Sequence, residues 1–204
     1  MKTKLINIGM IAIVLFISLT ACKKDEKVKN NSFRYNQKEA EIGTAMGIRF
    51  GESDIAGVYD VFMMLFEKTL TVHMKDGVPD SLSGKGDILF IDFLTDNINE
   101  ITPGEYNLNT SSAVSKAFTI VSEESGVLVN IVSFNEYPAG SLQLYSGKVA
   151  VAKNGDEFEI TLNLNTNVNS TITGYYKGKI NMYTEVKKKS GNNPTWFPKT
   201  AYRK

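Results

Sequence analysis

The chain has 204 residues, 42% hydrophobic and 22% charged, with a formal net charge of +1 at pH 7. That near-neutral balance excludes an electrostatic nucleic-acid partner, which declares itself through a large basic excess. A single histidine and a single cysteine leave little material for nucleophilic triads or zinc sites.

Met1-Lys2-Thr3-Lys4 leads into an uncharged run from Leu5 to Thr20. Its charge order and length are those of a secretory signal. A spanning helix needs about 20 consecutive apolar residues, and this shorter run is weakened by Asn7, Gly9, Ser18 and Thr20. Leu19-Thr20-Ala21-Cys22 resembles the bacterial lipobox, where small residues precede a cysteine that is acylated on sulfur before the leader is removed. A thiol is required as the nucleophile that takes the lipid, and Cys22 is the only one available. The expectation is a cleaved lipoprotein signal peptide over 1–21, with diacylglycerol and a palmitate-type chain on Cys22. An uncleaved membrane anchor and an ordinary signal peptide are the alternatives. Losing Lys2 and Lys4 takes Lys plus Arg from 23 to 21, against 22 Asp plus Glu, so the mature chain stays near neutral. With Cys22 acylated, no cysteine is left for a disulfide, and stability has to come from an apolar core.

Residues 22–31 lack large apolar side chains and are expected to form a flexible tether. Lys24-Asp25-Glu26 resembles the signal of one lysine and two acids that sends some Bacteroidota lipoproteins to the outer face of the outer membrane. A solvated linker is the other reading. The rest, 32–204, is expected to be one domain of about 170 residues, large enough to bury roughly 70% of its unfolded surface.

Strand patterning runs through nearly all of it. Val58 to Phe66 and Ile88 to Leu94 are apolar on both faces, as central strands covered on two sides would be, although the first could also form a short buried helix. Pro103-Gly104 suits the middle of a type II turn. Val114 to Val121 and Val127 to Phe134 are further strand candidates, separated by Glu123-Glu124-Ser125-Gly126. Asn154-Gly155 between two strand-like runs marks a tight hairpin. After it, Phe158, Ile160, Leu162 and Leu164 alternate with Glu159, Thr161, Asn163 and Asn165, and Ile172, Gly174, Tyr176, Gly178, Ile180 and Met182 continue the period of two. The tail from Lys187 is basic, carries Pro194 and Pro198, and is expected to be irregular. About nine or ten strands and no amphipathic helix point to an all-β fold: an antiparallel β-sandwich, with a β-barrel as the alternative.

Several stretches together resemble a recurrent type of small β-sandwich surface lipoprotein of gut and oral Bacteroidota. They are Phe33-Arg34-Tyr35-Asn36-Gln37-Lys38-Glu39 leading to Gly43, Pro103-Gly104-Glu105-Tyr106, Ser146-Gly147-Lys148-Val149-Ala150-Val151, and Ile172-Thr173-Gly174-Tyr175-Tyr176-Lys177-Gly178. The resemblance implies a fold and a compartment, the lipid-anchored outer membrane with cell-surface exposure. It implies no chemistry, and no functional residue beyond Cys22.

The search for chemistry yields little. His73 alternates with apolar neighbours and reads as a strand-surface residue. Asp87 and Asp92 are an odd number of positions apart, which on one strand places them on opposite faces and argues against a glycosidase pair. Asp96, Asn97, Asn99 and Glu100 gather oxygen ligands where calcium could bind, but lack the spacing and glycine of an EF-hand. Gly84-Lys85-Gly86 matches no phosphate-cradling motif. Trp196 and Phe197, with Tyr202 nearby, could stack on sugar rings, while Asn192 and Asn193 bond hydroxyls; Trp196 could equally pin the tail to the domain. The expected function is a non-catalytic binding module for glycan or protein, without cofactor and without nucleic acid. A structural or accessory subunit of a cell-surface assembly is the alternative.

Overall fold

The computed structural model describes residues 30–75, 78–109, 116–134 and 140–184. Cys22 with the signal peptide, most of the tether, and Trp196, Phe197 and Tyr202 fall outside them. Thirteen strands run in chain order through the described residues: β1 Ser32–Tyr35, β2 Lys38–Glu52, β3 Tyr59–Glu67, β4 Leu70–Lys75, β5 Val78–Gly84, β6 Gly86–Thr95, β7 Gly104–Asn109, β8 Thr119–Val121, β9 Gly126–Ile131, β10 Leu142–Asn154, β11 Glu157–Thr166, β12 Thr171–Gly178 and β13 Asn181–Thr184. One 3₁₀ turn, η1 Ser122–Glu124, lies between β8 and β9.

The chain is all-β, and its main sheet closes on itself. Neighbours follow the order β1-β12-β11-β10-β7-β8-β6-β3-β2, and β1 pairs back onto β2, giving a ring of nine strands. Of the two architectures expected, the barrel is therefore the one adopted, not two separate stacked sheets. Strands with one apolar face satisfy either arrangement. The choice is made at the seam, where β1 bonds to β12 on one side and to β2 on the other.

Alternation explains the inside. Phe158, Ile160, Leu162 and Leu164 of β11 are buried while Thr161, Asn163 and Asn165 are exposed. The same rule on the other strands fills the barrel with Phe33, Val61, Met63, Leu89, Ile91, Phe93, Tyr106, Val149 and Ile172, among others. Along the outer wall of β10–β12 the exposed residues are mostly polar, with Tyr145, Ala150 and Ala152 on β10 the exceptions, unlike the continuous apolar exterior of a lipid-facing barrel.

β3 and β6 break the alternation for the reason their sequences suggest: they are covered on both faces. Their second face forms a separate cluster of Met46, Ile48, Phe62, Met64, Phe66, Ile88, Phe90, Leu128 and Ile131 outside the ring. Leu70, Val72 and Leu82 of the β4–β5 hairpin pack on it, as does Tyr183 of β13. β13 lies parallel to β2, Asn181 opposite Met46. The run 58–66 is thus strand, not helix.

Two turns differ from expectation. In the β10–β11 hairpin Asn154 pairs with Glu157, so the central residues are Gly155 and Asp156, with φ +59° at Gly155. That is glycine at the first central position, where a II′-type turn needs it. Pro103-Gly104 is not a type II turn, because Gly104 lacks positive φ and already opens β7. Glycine is needed there for space: an added Cβ would lie 2.6 Å from the Phe118 ring. The primed turn with positive φ at both centres is Asn36-Gln37, at +45° and +64°, joining β1 to β2.

Candidate functional site

The loop with the expected calcium ligands is a hydrogen-bonded turn. Asp96 Oδ1 accepts from the Thr102 hydroxyl at 2.5 Å, and Asn97 Oδ1 accepts the Asn99 N–H at 2.9 Å. Glu100 is ion-paired with Lys153, and the Asn99 carbonyl accepts from Arg49 at 3.2 Å. The side-chain oxygens of Asp96, Asn97 and Glu100 and the main-chain carbonyl of Asn99 each serve a partner within the protein.

Asp87 and Asp92 are divided as their spacing requires. Asp87, fully buried, receives the Tyr35 hydroxyl and the Lys38 ammonium on Oδ2, and the Asn130 N–H on Oδ1 at 2.9 Å. Its own N–H donates to Glu67 at 2.9 Å, and Lys38 also approaches Glu67 at 3.3 Å. The Asn36-Gln37 turn makes this possible by setting Tyr35 directly opposite Lys38. Burial, then the bond to Asp87, pushes the Tyr35 phenol well up. Burial alone would lower the Lys38 ammonium, but the bond and charge of Asp87, helped by Glu67, outweigh it and raise the group.

Asp92 belongs to a different cluster, one that a reading of the sequence missed. Ile88 and Phe90 face the outer apolar cluster, so period two turns Asp92 the same way. Across the ladder Asp60 is opposite Leu94 and Phe62 opposite Asp92, so the two aspartates sit diagonally on one face. The third acid comes from a gap in the next strand. β8 pairs with β6 at Phe93 and Leu94, β9 pairs again from Phe90, and η1 fills the interval. There the Asp92 N–H donates to Ser125 Oγ at 2.9 Å, and Ser125 Oγ donates to the Val121 carbonyl at 2.7 Å. Ser122 Oγ fastens the turn to the Leu144 carbonyl at 2.6 Å. The detour brings Glu124 over Asp92.

Asp60, Asp92 and Glu124 each offer an oxygen, and these atoms lie within 4.8 Å of one another. Asp92 is 1% exposed, and its Oδ1 has no hydrogen-bond partner. Burial first, then the charge of Asp60, a hydrogen bond with Glu124, another with Asp60, and the charge of Glu124 lift its carboxyl well above the usual range. The signal was an aspartate inside Ile88-Leu89-Phe90-Ile91-Asp92-Phe93-Leu94, a run otherwise wholly apolar. Its partners, at 60 and 124, come from distant segments that no spacing rule connects.

His73 lies exposed on β4 with Nε2 2.7 Å from Ser83 Oγ. No carboxylate is bonded to this pair among the described residues, and the serine stands on the same hairpin surface, not in a cleft. A different surface is offered by the outer wall of β10–β12. Registers Lys148–Asn163–Thr173 and Ala150–Thr161–Tyr175 form rows across it, and Asn165 bonds Ser146 and Thr171 at 3.1 and 3.2 Å. At the bulge between Leu144 and Ser146, Tyr145 is 60% exposed. Against known proteins, the chain matches no family model, no curated protein and no solved structure.

Proposed function

We infer that the chain is the precursor of a lipid-anchored outer-membrane protein that displays its barrel at the cell surface as a non-catalytic binding module for glycan or protein. The anchor rests on Leu19-Thr20-Ala21-Cys22 and the short apolar leader before it. Two or three acyl chains hold a protein to a membrane far more firmly than the marginal grip of one. The non-catalytic reading rests on the same sequence, with its single histidine and no thiol beyond Cys22.

The observation that carries the binding reading is the wall of β10–β12. Its exposed residues Thr161, Asn163, Asn165, Thr171 and Thr173 are hydroxyls and amides in cross-strand rows, suited to bonding sugar hydroxyls or a peptide backbone. Tyr145 adds an open aromatic face at one end. The interior is filled by side chains, so a ligand is taken on the outside. The alternative, a structural or accessory subunit of a surface assembly, would work through sheet edges. Closure through β1 removes the long edges of the ring, and β13, the outermost strand described, has four residues.

Two measurements test this. Cys22→Ser should abolish palmitate labelling and leave the chain released or as uncleaved precursor; a variant still processed and membrane-bound overturns the anchor. The detergent-solubilised protein should show a thermal shift with one class of soluble polysaccharide, reduced by Tyr145→Ala or Asn163→Ala. At a hundred times the dissociation constant a ligand adds about 2.7 kcal/mol, a clear shift. No shift with any polysaccharide, or one unaffected by both substitutions, removes this wall as the glycan surface.

A further inference from the structure

The outer face of β2, β3 and β6 has no part in that reading, and its cover differs from one end to the other. Registers place Thr44, Phe66 and Ile88 in one row, Met46, Met64 and Phe90 in the next, and Ile48, Phe62 and Asp92 in the third. The β4–β5 hairpin leaves β3 and returns to β6 beside the first row, and its Leu70, Val72 and Leu82 pack on the cluster from that end. Phe134 joins them, edge-on to Phe66 with ring centres 6.3 Å apart. At the third row Tyr183 stands opposite Ile48, and the Phe50 ring lies edge-on to Phe62 at 6.3 Å. Both are half-buried, and both lie toward the β2 side of Phe62. Phe62, in the middle of the row, is nonetheless 3% exposed, so it is covered.

We propose that residues 185–204, the segment that follows β13, fold back over this third row and seat Trp196 and Phe197 against Phe50 and Phe62 as a built-in cover. Position argues for this occupant. β13 runs parallel to β2 and ends at Thr184, opposite Arg49, so the chain departs beside the row it is to cover. Phe62 is two strands across from Tyr183, about 10 Å away. Residues 185–195, extended, reach about 36 Å, which leaves ample slack for Trp196 to turn back.

Composition singles out the same segment. Residues 110–115 carry no aromatic, and 135–139 carry Tyr137 but are held between Phe134 and Gly140. The tether is mostly charged. The tail brings the only tryptophan together with Phe197 and Tyr202, large rings that gain most from an apolar seat. Charge agrees with this. Carried on at the β13–β2 register, Lys187 comes level with Glu52 and Lys189 with Asp54, both exposed carboxylates.

Because Trp196 is the only tryptophan, its fluorescence reports the tail alone. In the full chain purified in detergent, the emission should be blue-shifted from that of N-acetyltryptophanamide, and acrylamide should quench it several-fold less. Urea should abolish both differences in the transition that unfolds the barrel. Phe50→Ser, at the half-buried rim, should shift the emission to the red with the circular dichroism unchanged, whereas Tyr145→Ala, on the β10–β12 wall, should leave it in place. A chain ending at Thr184 should melt at a lower temperature and bind an apolar dye that the full chain does not. Emission and quenching like those of the model amide overturn the proposal, as does a blue shift that survives Phe50→Ser. Quenching by brominated detergent also overturns it, by placing Trp196 in the micelle, and protection lost on dilution does so by placing a second copy on the face. Should Phe50→Ser or the shortened chain fail to fold, Tyr183→Ser, on the four-residue edge strand, takes its place with the same red shift expected.

Discussion

Asp87→Asn changes two atoms' worth of chemistry and almost no volume, so its cost reports the bonds at that position. The carboxylate takes Tyr35 and Lys38 on one oxygen and the Asn130 N–H on the other. An amide has a single acceptor oxygen. Whichever way it is turned, its NH₂ faces a donor, either the Asn130 N–H or the Tyr35–Lys38 pair. A hydrogen bond to a charged group contributes about 1.5–3 kcal/mol. The Lys38 component is smaller, about 0.5 kcal/mol, because that side chain is 40% exposed and screened by water. Adding the penalty of one buried donor left facing another gives a loss of about 3 kcal/mol, at the low end for one partner removed from a buried pair. With a urea slope of about 2 kcal/mol per molar, the midpoint should fall by about 1.5 M in equilibrium denaturation followed by circular dichroism. Lys38→Met alone should cost about 1 kcal/mol, and the double variant should fall short of the sum because the two effects share one interaction. A stability unchanged to within about 0.5 kcal/mol, or strict additivity, would refute the reasoning.

The same cluster sets an alkaline limit. Tyr35 and Lys38 are both raised from ordinary values of 10.0 and 10.5, so the stability they confer is full below those values and is lost as pH rises through the higher folded ones. Alkaline titration should therefore unfold the wild type more steeply above pH 10 than Asp87→Asn, and equal slopes would contradict this. For Asp92, raised above its ordinary 3.8, stability should fall as pH rises past the usual carboxyl range, a decline that Asp92→Asn removes; a flat wild-type profile speaks against a buried acid there. Gly126→Ala places a Cβ 2.2 Å from the Leu142 carbonyl oxygen, at a junction where β9 meets β10, and should cost at least about 2 kcal/mol by the same denaturation assay. A loss under about 0.5 kcal/mol would mean the two strands separate easily.

Local features were legible in the sequence, and long-range ones were not. The alternation in β11 gave its inward face directly, and the doubly apolar runs at 58–66 and 88–94 announced strands covered on both sides. Closure was hidden because it depends on Ser32 meeting Tyr175, and nothing in either neighbourhood names the other. The same limit applies to the acids. Asp92 stood out in its apolar run, but its neighbours Asp60 and Glu124 are supplied by a cross-strand diagonal and by an interruption between β8 and β9. The loop at 96–100 shows the same limit: oxygen-rich composition says nothing about whether those oxygens already hold Thr102, Asn99 and Lys153.

The seam of the barrel governs when the fold can be completed. Asn31, just before β1, bonds both the carbonyl and the N–H of Lys177, at 2.9 and 2.8 Å, across 146 positions of sequence. A chain delivered from its N-terminus presents β1 and β2 almost at once, yet β12 arrives only after nearly every other strand. Through that interval one side of β1 has no ladder, and the early strands wait as a curved open sheet. Contacts of such long separation form slowly, because loop closure precedes any compensating gain. The barrel should therefore close late and in one cooperative step. The waiting sheet is the species a chaperone would have to shield, and where closure limits the rate, substitutions in β12 should slow folding by close to their full equilibrium cost.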